Sequence, residues 1–296
     1  MSVTEDDYAL SDTPGWKDVS WDEHVRQIEL SSGRLNYVEL GSAPGTPLLL
    51  LHGIGGCWQH WLANIPRLAQ NRRVIAIDFP GFGASPLPNK RITIDLYAGL
   101  VDEFCDRLGL EQVTLVGNSL GGLVSIETAV RYPGRVERMV LAAPAGISTR
   151  NLKHAIPTLL KLVSLQSPEL QKLVARVHRT QPEHPLSLAI AHPRAFERGV
   201  LRATFSPSIG STAGFLHVAG NLAEASVRGQ LLKDASAVST TTLIIWGRND
   251  QILPVADEAV LATMLRDSRS VILEDTGHMP QLERPREFNR LTLDFA

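Results

Sequence analysis

Short apolar runs recur along the chain at Pro47–Leu51, Val74–Ile77, Val113–Val116, Val136–Ala142, Thr242–Trp246 and Ser270–Leu273. Runs of this length with little polar alternation are the pattern of strands covered on both faces. Two further strand-like pieces, Val25–Leu30 and Leu35–Leu40, precede them and are separated by the turn Ser31-Ser32-Gly33. Helical spacing of apolar positions fills Ile94–Leu108, Leu120–Tyr132 and Pro254–Leu265. Strand and helix in regular alternation predict an α/β fold: a mostly parallel sheet with right-handed crossovers and helices on both faces.

The rhythm breaks between Gly146 and Ala235. Apolar residues there recur at helix spacing (Leu159, Leu160, Val163, then Leu170, Leu173, Val174, Val177), and Pro157, Pro168, Pro182, Pro185, Pro193 and Pro207 divide the block into short helices and loops. A helical block between two strands of such a sheet predicts a cap over the carboxyl ends of the strands, the edge at which open α/β folds bind ligands. The expected organisation is a leader over 1–24, a core over 25–145 and 236–296, and a helical cap over 146–235.

Charge changes this picture in two places. The leader holds seven acids and one base, Lys17, and reads as a poorly ordered or surface-lying segment pinned by Trp16 or Trp21. The cap block holds eleven Lys/Arg against five acids. Solvated helix faces are the simplest account of that excess; a cap that draws in anionic substrates or touches a membrane surface is the sharper one. Over all 296 residues the charges nearly cancel, at −2, which speaks against a dedicated nucleic-acid binder. Two cysteines, Cys57 and Cys105, cannot build a disulfide scaffold or a cysteine-rich zinc site. The acidic start lacks the order of a secretion signal, and no apolar run approaches the ~18 residues that span a bilayer. These features predict a soluble, cytoplasmic protein, an enzyme or a binding domain.

The strongest chemical signal is Val116-Gly117-Asn118-Ser119-Leu120-Gly121-Gly122, set directly between a strand pattern and a helix pattern. That is the context of a nucleophile elbow, a turn so tight that side chains two residues either side of the serine would clash. It lifts the Ser119 hydroxyl above the sheet edge and aims the first amides of the helix at developing negative charge. A serine hydroxyl needs a base, and the base needs an orienting group. Asp250 follows the strand Leu243–Trp246 and His278 follows Val271–Leu273, so both stand at the same sheet edge as Ser119. After the first long strand, Leu51-His52-Gly53-Ile54-Gly55-Gly56 lets the backbone curl close to the serine. The amides of Ile54 and Leu120 can then form an oxyanion hole. His52 reads as a structural hydrogen-bonding residue, and Asp78–Ser85 as a tight loop under the site without catalytic duty.

Together HGIGG, DFPGFGAS, GNSLGG, WGRND and GH, each at a strand end, resemble the motifs of the α/β-hydrolase fold family over nearly all of the chain after the leader. The resemblance implies eight mostly parallel strands, a cap between the sixth and seventh, and no metal or organic cofactor. It assigns Ser119 as nucleophile, Asp250 as triad acid, His278 as base, and the Ile54 and Leu120 amides as oxyanion donors. A serine rather than an aspartate at the elbow is unlike haloalkane dehalogenases and epoxide hydrolases. Asn118, Pro144-Ala145-Gly146 and Glu287-Phe288-Asn289 resemble the hydrolases of meta-cleavage products, which break a C–C bond in a dienoate. Met279 stands where that group has a tryptophan and Gly56 where it has a proline, and Gly277–Glu283 resembles carboxylesterases more closely. The expectation is therefore a carboxylesterase-like serine hydrolase acting on a small-molecule ester or acid, with C–C hydrolysis, or a small-molecule receptor on the same fold, as alternatives. Gly53, Asn118, Trp58 and Met279 are the expected substrate contacts; Trp58 and Trp61 read either as entry-lining or as core.

Overall fold

The computed structural model describes residues 8–148, 189–196, 198–205, 212–228 and 231–296. Eight strands form one sheet: β1 Val25–Leu30, β2 Gly33–Leu40, β3 Leu48–Leu51, β4 Val74–Ile77, β5 Val113–Asn118, β6 Val136–Ala142, β7 Thr241–Gly247 and β8 Ser268–Leu273. Their order is β1-β2-β4-β3-β5-β6-β7-β8. Only β2 runs against its neighbours; every pair from β4 to β8 is parallel.

Successive side chains of a strand point to opposite faces, and both faces here are buried. Leu49, Leu51, Ile75, Ile77, Leu115, Met139, Leu141, Ile244 and Trp246 share one cluster. Leu48, Leu50, Val74, Ala76, Val116, Val140, Leu243 and Ile245 share the other. This double coverage is why these strands read as unbroken apolar runs. The first cluster is covered by α2 (Ile94–Arg107) and α3 (Leu120–Arg131). Trp58, Trp61, α1 (Ile65–Leu68) and the C-terminal helix, which contributes Phe288, Leu291 and Phe295, cover the second.

Of the block 146–235, the described residues include α4 (Arg198–Phe205) and α5 (Thr212–Val227) and no strand. The helix-spaced leucines and valines from Leu159 to Val177 lie outside the described residues. After β7 come α6 (Ala256–Met264), α7 (Pro280–Glu283) and α8 (Pro285–Phe295). From Tyr8 onward the leader lies on the core. Trp21 packs 5.0 Å from Trp58, and its indole N–H donates to the Trp16 carbonyl at 2.8 Å. Asp12 accepts from Asn289 of α8 at 2.8 Å.

Register brings the strand ends together. Leu51 pairs with Ile77 and Gly117, Asn118 with Ala142, Ala142 with Ile245, and Gly247 with Leu273. The segments that follow β3, β5, β7 and β8 therefore leave the sheet along one edge, the edge that carries the motif residues. Deep packing makes the sheet sensitive to lost volume. Leu49→Ala, at a fully buried position, is expected to cost ~2–5 kcal/mol of unfolding free energy in a denaturant titration; a loss under about 1 kcal/mol would mean that the site collapses to fill the gap.

Candidate active site

Ser119 sits between β5 and α3 with φ +54° and ψ −113°, a strained conformation for a residue with a side chain. The turn is held open to the site by absent side chains. A Cβ on Gly121 would lie 2.0 Å from the Leu51 carbonyl oxygen, and one on Gly117 would lie 2.5 Å from the Gly121 backbone. On Gly122 it would meet Pro144 at 2.6 Å. Ser119 N–H donates to the Ala142 carbonyl at 3.0 Å, and its own carbonyl accepts from Ala145 at 2.9 Å and Leu123 at 3.1 Å. The strained residue is thus fixed from β6 as well as from its own helix.

His278 Nδ1 and Asp250 Oδ2 are 2.7 Å apart, and both side chains are almost completely buried. Asp250 divides its oxygens: Oδ1 accepts from the amides of Ile252 and Leu253 at 2.8 and 2.9 Å, and Oδ2 faces the imidazole. Turn formation and imidazole orientation are therefore done by one carboxylate. His278 Nε2 is buried with no hydrogen-bond partner, which leaves a lone pair for a proton. The base loop is tied to the elbow through Asn118, whose amide donates to the Ala142 carbonyl at 3.0 Å and to the His278 carbonyl at 3.1 Å.

The segment after β3 closes a turn by Gly56 N–H donating to the Gly53 carbonyl at 3.1 Å, with Gly55 at φ +74°. Gly53 lies directly on the elbow; a Cβ there would stand 3.2 Å from the Ser119 Cβ. Leu120 is the first residue of α3, where an amide has no carbonyl four residues back within its helix. The turn is braced by His52, whose Nδ1 donates to the Gly53 carbonyl at 2.7 Å while Nε2 accepts from Phe79 N–H at 2.9 Å. Both ring nitrogens are used, and burial lowers its pKa to about 4, so it stays neutral and structural.

Asp78 organises the loop that sequence reading placed beneath the site. It accepts from the amides of Trp58 at 2.7 Å and Ala84 at 2.9 Å, and from Asn36 at 2.9 Å. Burial nevertheless raises its pKa to about 6.

The four expected substrate contacts divide. Gly53 lies against Ser119 as described. Met279 is buried beside the base, in the cluster of the α2/α3 face. Trp58 is core rather than site: it stacks with Trp21 in the opposite cluster because its own amide is drawn to Asp78. Asn118 spends its amide hydrogens on two backbone carbonyls, so its observed role is to join the elbow to the base loop. Sequence reading missed Glu283, which is fully buried and accepts from the amides of Gly277 and Met279 on either side of His278, at 2.9 and 3.1 Å. Burial pushes its carboxyl above the ordinary range. A buried acid five residues after the candidate base was the available signal.

A cleft of about 370 Å³ lies between α5, the start of α2 and the outer length of α3, with Leu123, Val218, Leu222 and Leu232 among its lining. Its cations face carboxylates: Arg91 and Arg228 meet Glu224, and Arg131 meets Asp95 and Glu127. Of these cations Arg228 belongs to the block 146–235, and Glu224 of α5 pairs with it. Among the described residues no group of three or more His, Cys, Asp or Glu could hold a metal ion, and no helix is long and apolar enough to cross a membrane.

A strand-edge serine, an imidazole–carboxylate pair and a mostly parallel eight-stranded sheet define a hydrolase of the α/β type. The chain belongs to the α/β hydrolase fold family, whose profile matches residues 46–285. The 2-hydroxymuconate semialdehyde hydrolase of Pseudomonas sp. (strain CF600) is 31% identical over 294 residues, covering 91% of this chain and 93% of that protein. Among solved structures, a bacterial membrane phospholipase A matches with a TM-score of 0.73 at 26% identity, over 92% of this chain and 84% of that one. A thermophilic esterase from Thermogutta terrifontis matches in fold with a TM-score of 0.73 at 22% identity, over 91% of this chain and 97% of that one.

Two outcomes follow from this geometry. Gly121→Ala forces a Cβ into the Leu51 carbonyl and is expected to abolish soluble, folded protein or shift the elbow; an unchanged melting temperature would contradict the close approach. Burial holds the His60 pKa down to about 3, with His52 nearby adding to the effect. The unfolded chain takes up that proton near pH 6.5, so acidification favours unfolding and stability present above pH 6.5 is lost as the pH falls. The wild type is therefore expected to lose stability relative to His60→Gln between neutral pH and pH 4. A pH-independent difference between the two would show that His60 protonates freely in the folded state.

Proposed function

We propose that this protein is a serine hydrolase that cleaves carboxylic esters with small or medium acyl groups through an acyl-enzyme on Ser119. The observation that carries the reading is the buried Asp250–His278 pair at 2.7 Å, its Nε2 unpaired, with the His278 carbonyl held by Asn118, the residue before the strained serine. His278 takes the Ser119 proton as Oγ attacks the ester carbonyl, and Asp250 stabilises the imidazolium that results. The amides of Ile54 and Leu120 receive the oxyanion; such a donor is typically worth ~2.7–4 kcal/mol in the transition state. As the C–O bond breaks, His278 returns the proton to the alcohol. Water then attacks the acyl-enzyme, giving its proton to His278, and the acid departs as Ser119 regains its hydrogen.

A second reading is favoured by the 31% identical 2-hydroxymuconate semialdehyde hydrolase: C–C hydrolysis of a dienoate. It uses the same serine, base and oxyanion donors, and it demands one further step, ketonisation of the dienol before attack. Ester cleavage needs no group beyond those described, which is why it stands first.

Hydrolysis of p-nitrophenyl esters across acyl lengths, beside a 2-hydroxy-6-oxo-dienoate, separates the two. Ester turnover is expected, reduced about 10⁵–10⁶-fold in Ser119→Ala and His278→Gln and about 10⁴-fold in Asp250→Asn. Cleavage of the dienoate with negligible ester turnover would transfer the assignment to C–C hydrolysis. Undiminished ester turnover in Ser119→Ala would sink both.

A further inference from the structure

The N-terminal segment reaches the candidate site at Tyr8 and Ala9. The Tyr8 ring packs edge-on against His192 at 5.3 Å and Phe196 at 5.5 Å, and the Arg284 guanidinium lies over its face at 5.0 Å. Its hydroxyl donates to Glu283 Oε2 at 2.7 Å and accepts from the His192 amide at 3.0 Å. The next residue adds a backbone bond, Ala9 N–H donating to the Glu283 carbonyl at 2.8 Å.

Glu283 Oε2 also accepts from the amides of Ala191 at 2.8 Å and Gly277 at 2.9 Å, while Oε1 accepts from Met279 at 3.1 Å. The intervening amide, that of His278 itself, donates to the Ala189 carbonyl at 2.9 Å. Three consecutive amides around the base are thus fixed, two by Glu283 and one by the segment 189–192. Tyr8 bonds to both holders at once. Beside the three backbone amides, Tyr8 brings a side-chain hydroxyl to the Glu283 carboxylate.

We infer that Tyr8 is a positioning residue for His278, acting through Glu283 and the segment 189–192, so that the N-terminal segment is part of the hydrolytic machinery. The inference rests on the serine-hydrolase reading above. Removing the hydroxyl leaves Oε2 short of one donor and the His192 amide without its acceptor. Both supports of the His278 loop loosen together, and the imidazole is held less firmly in its pairing with Asp250. Displacement of a reacting group by ~1 Å can cost as much as 10²-fold in rate. A residue that merely anchors the chain end would lower thermal stability and leave the chemistry alone.

The test compares the full-length wild type with Tyr8→Phe, which keeps the ring in its socket, and Tyr8→Ala, which empties it. Three quantities are read: kcat and KM for p-nitrophenyl butyrate across acid and neutral pH, the melting temperature, and the downfield proton resonance of the His278–Asp250 hydrogen bond. Tyr8→Phe is expected to lower kcat about tenfold with KM unchanged, and to broaden the downfield resonance by faster exchange. Unchanged kcat and resonance in Tyr8→Phe, with only the melting temperature lowered, would overturn the positioning role. If the wild type turns over neither ester nor dienoate and Ser119 resists a fluorophosphonate, the serine-hydrolase reading fails instead. The resonance alone then decides whether Tyr8 holds the imidazole, and an unaltered signal in both variants would overturn that too.

Discussion

The closeness of α3 to the ends of β3 and β5 is the constraint on which the rest of the molecule depends. Gly121 meets the Leu51 carbonyl with room for a hydrogen and nothing more, and Gly117 faces Gly121 just as tightly. Only this approach lets a strand turn into a helix within one residue. The cost is a strained Ser119, which the hydrogen bonds from β6 and from α3 hold in place. The sheet absorbs that strain because it is packed on both faces and its central strands cannot shift one at a time.

Around this turn the loops at the sheet edge face a common problem. They leave the ladder, so their amides lose strand partners while remaining buried, and unpaired buried amides are costly. The chain answers with single polar side chains that each serve several amides. Asp78 gathers the loop after β4 and the Trp58 amide, Asp250 the loop after β7, and Glu283 the loop after β8. His52 and Asn118 do the same by bridging one loop to the next. Asp250 shows how structure and chemistry share a group: one oxygen builds the turn and the other orients the imidazole. Burial raises Asp78 and Glu283 and lowers His52, the electrostatic counterpart of this arrangement, and the hydrogen bonds donated to the two carboxylates oppose that rise.

The hydrolase fold is common to proteins that break different bonds, and fold alone does not choose between them. A semialdehyde hydrolase at 31% identity and a phospholipase at 26% stand on either side of the choice. The 370 Å³ cleft under α5, with its charges paired, is lined by none of Ser119, Asp250 and His278 and so does not make the choice.

The strands, the helices α2, α3 and α6, and the sheet edge were legible in the sequence because burial on two faces writes itself into a run of apolar residues and a tight turn into glycines. Asp250 and His278 were legible because each ends such a run. Trp58 read either as entry-lining or as core, and the contact that places its ring, with Trp21 in the second cluster, joins segments far apart in the chain. Asn118 was expected to touch substrate, and its partners prove to be carbonyls on β6 and the base loop. The short helix α1 and the C-terminal helix α8 carried no strong local signal, since their apolar faces acquire meaning only against the second face of the sheet. Glu283 and Tyr8 lie 275 positions apart in the chain, and no local pattern joins them. The sequence by itself determined the strands, the order of the motifs and the edge at which they meet, because those follow from near-neighbour spacing. Only the tertiary structure decided which buried polar groups hold one another, because that depends on contacts between segments distant in sequence.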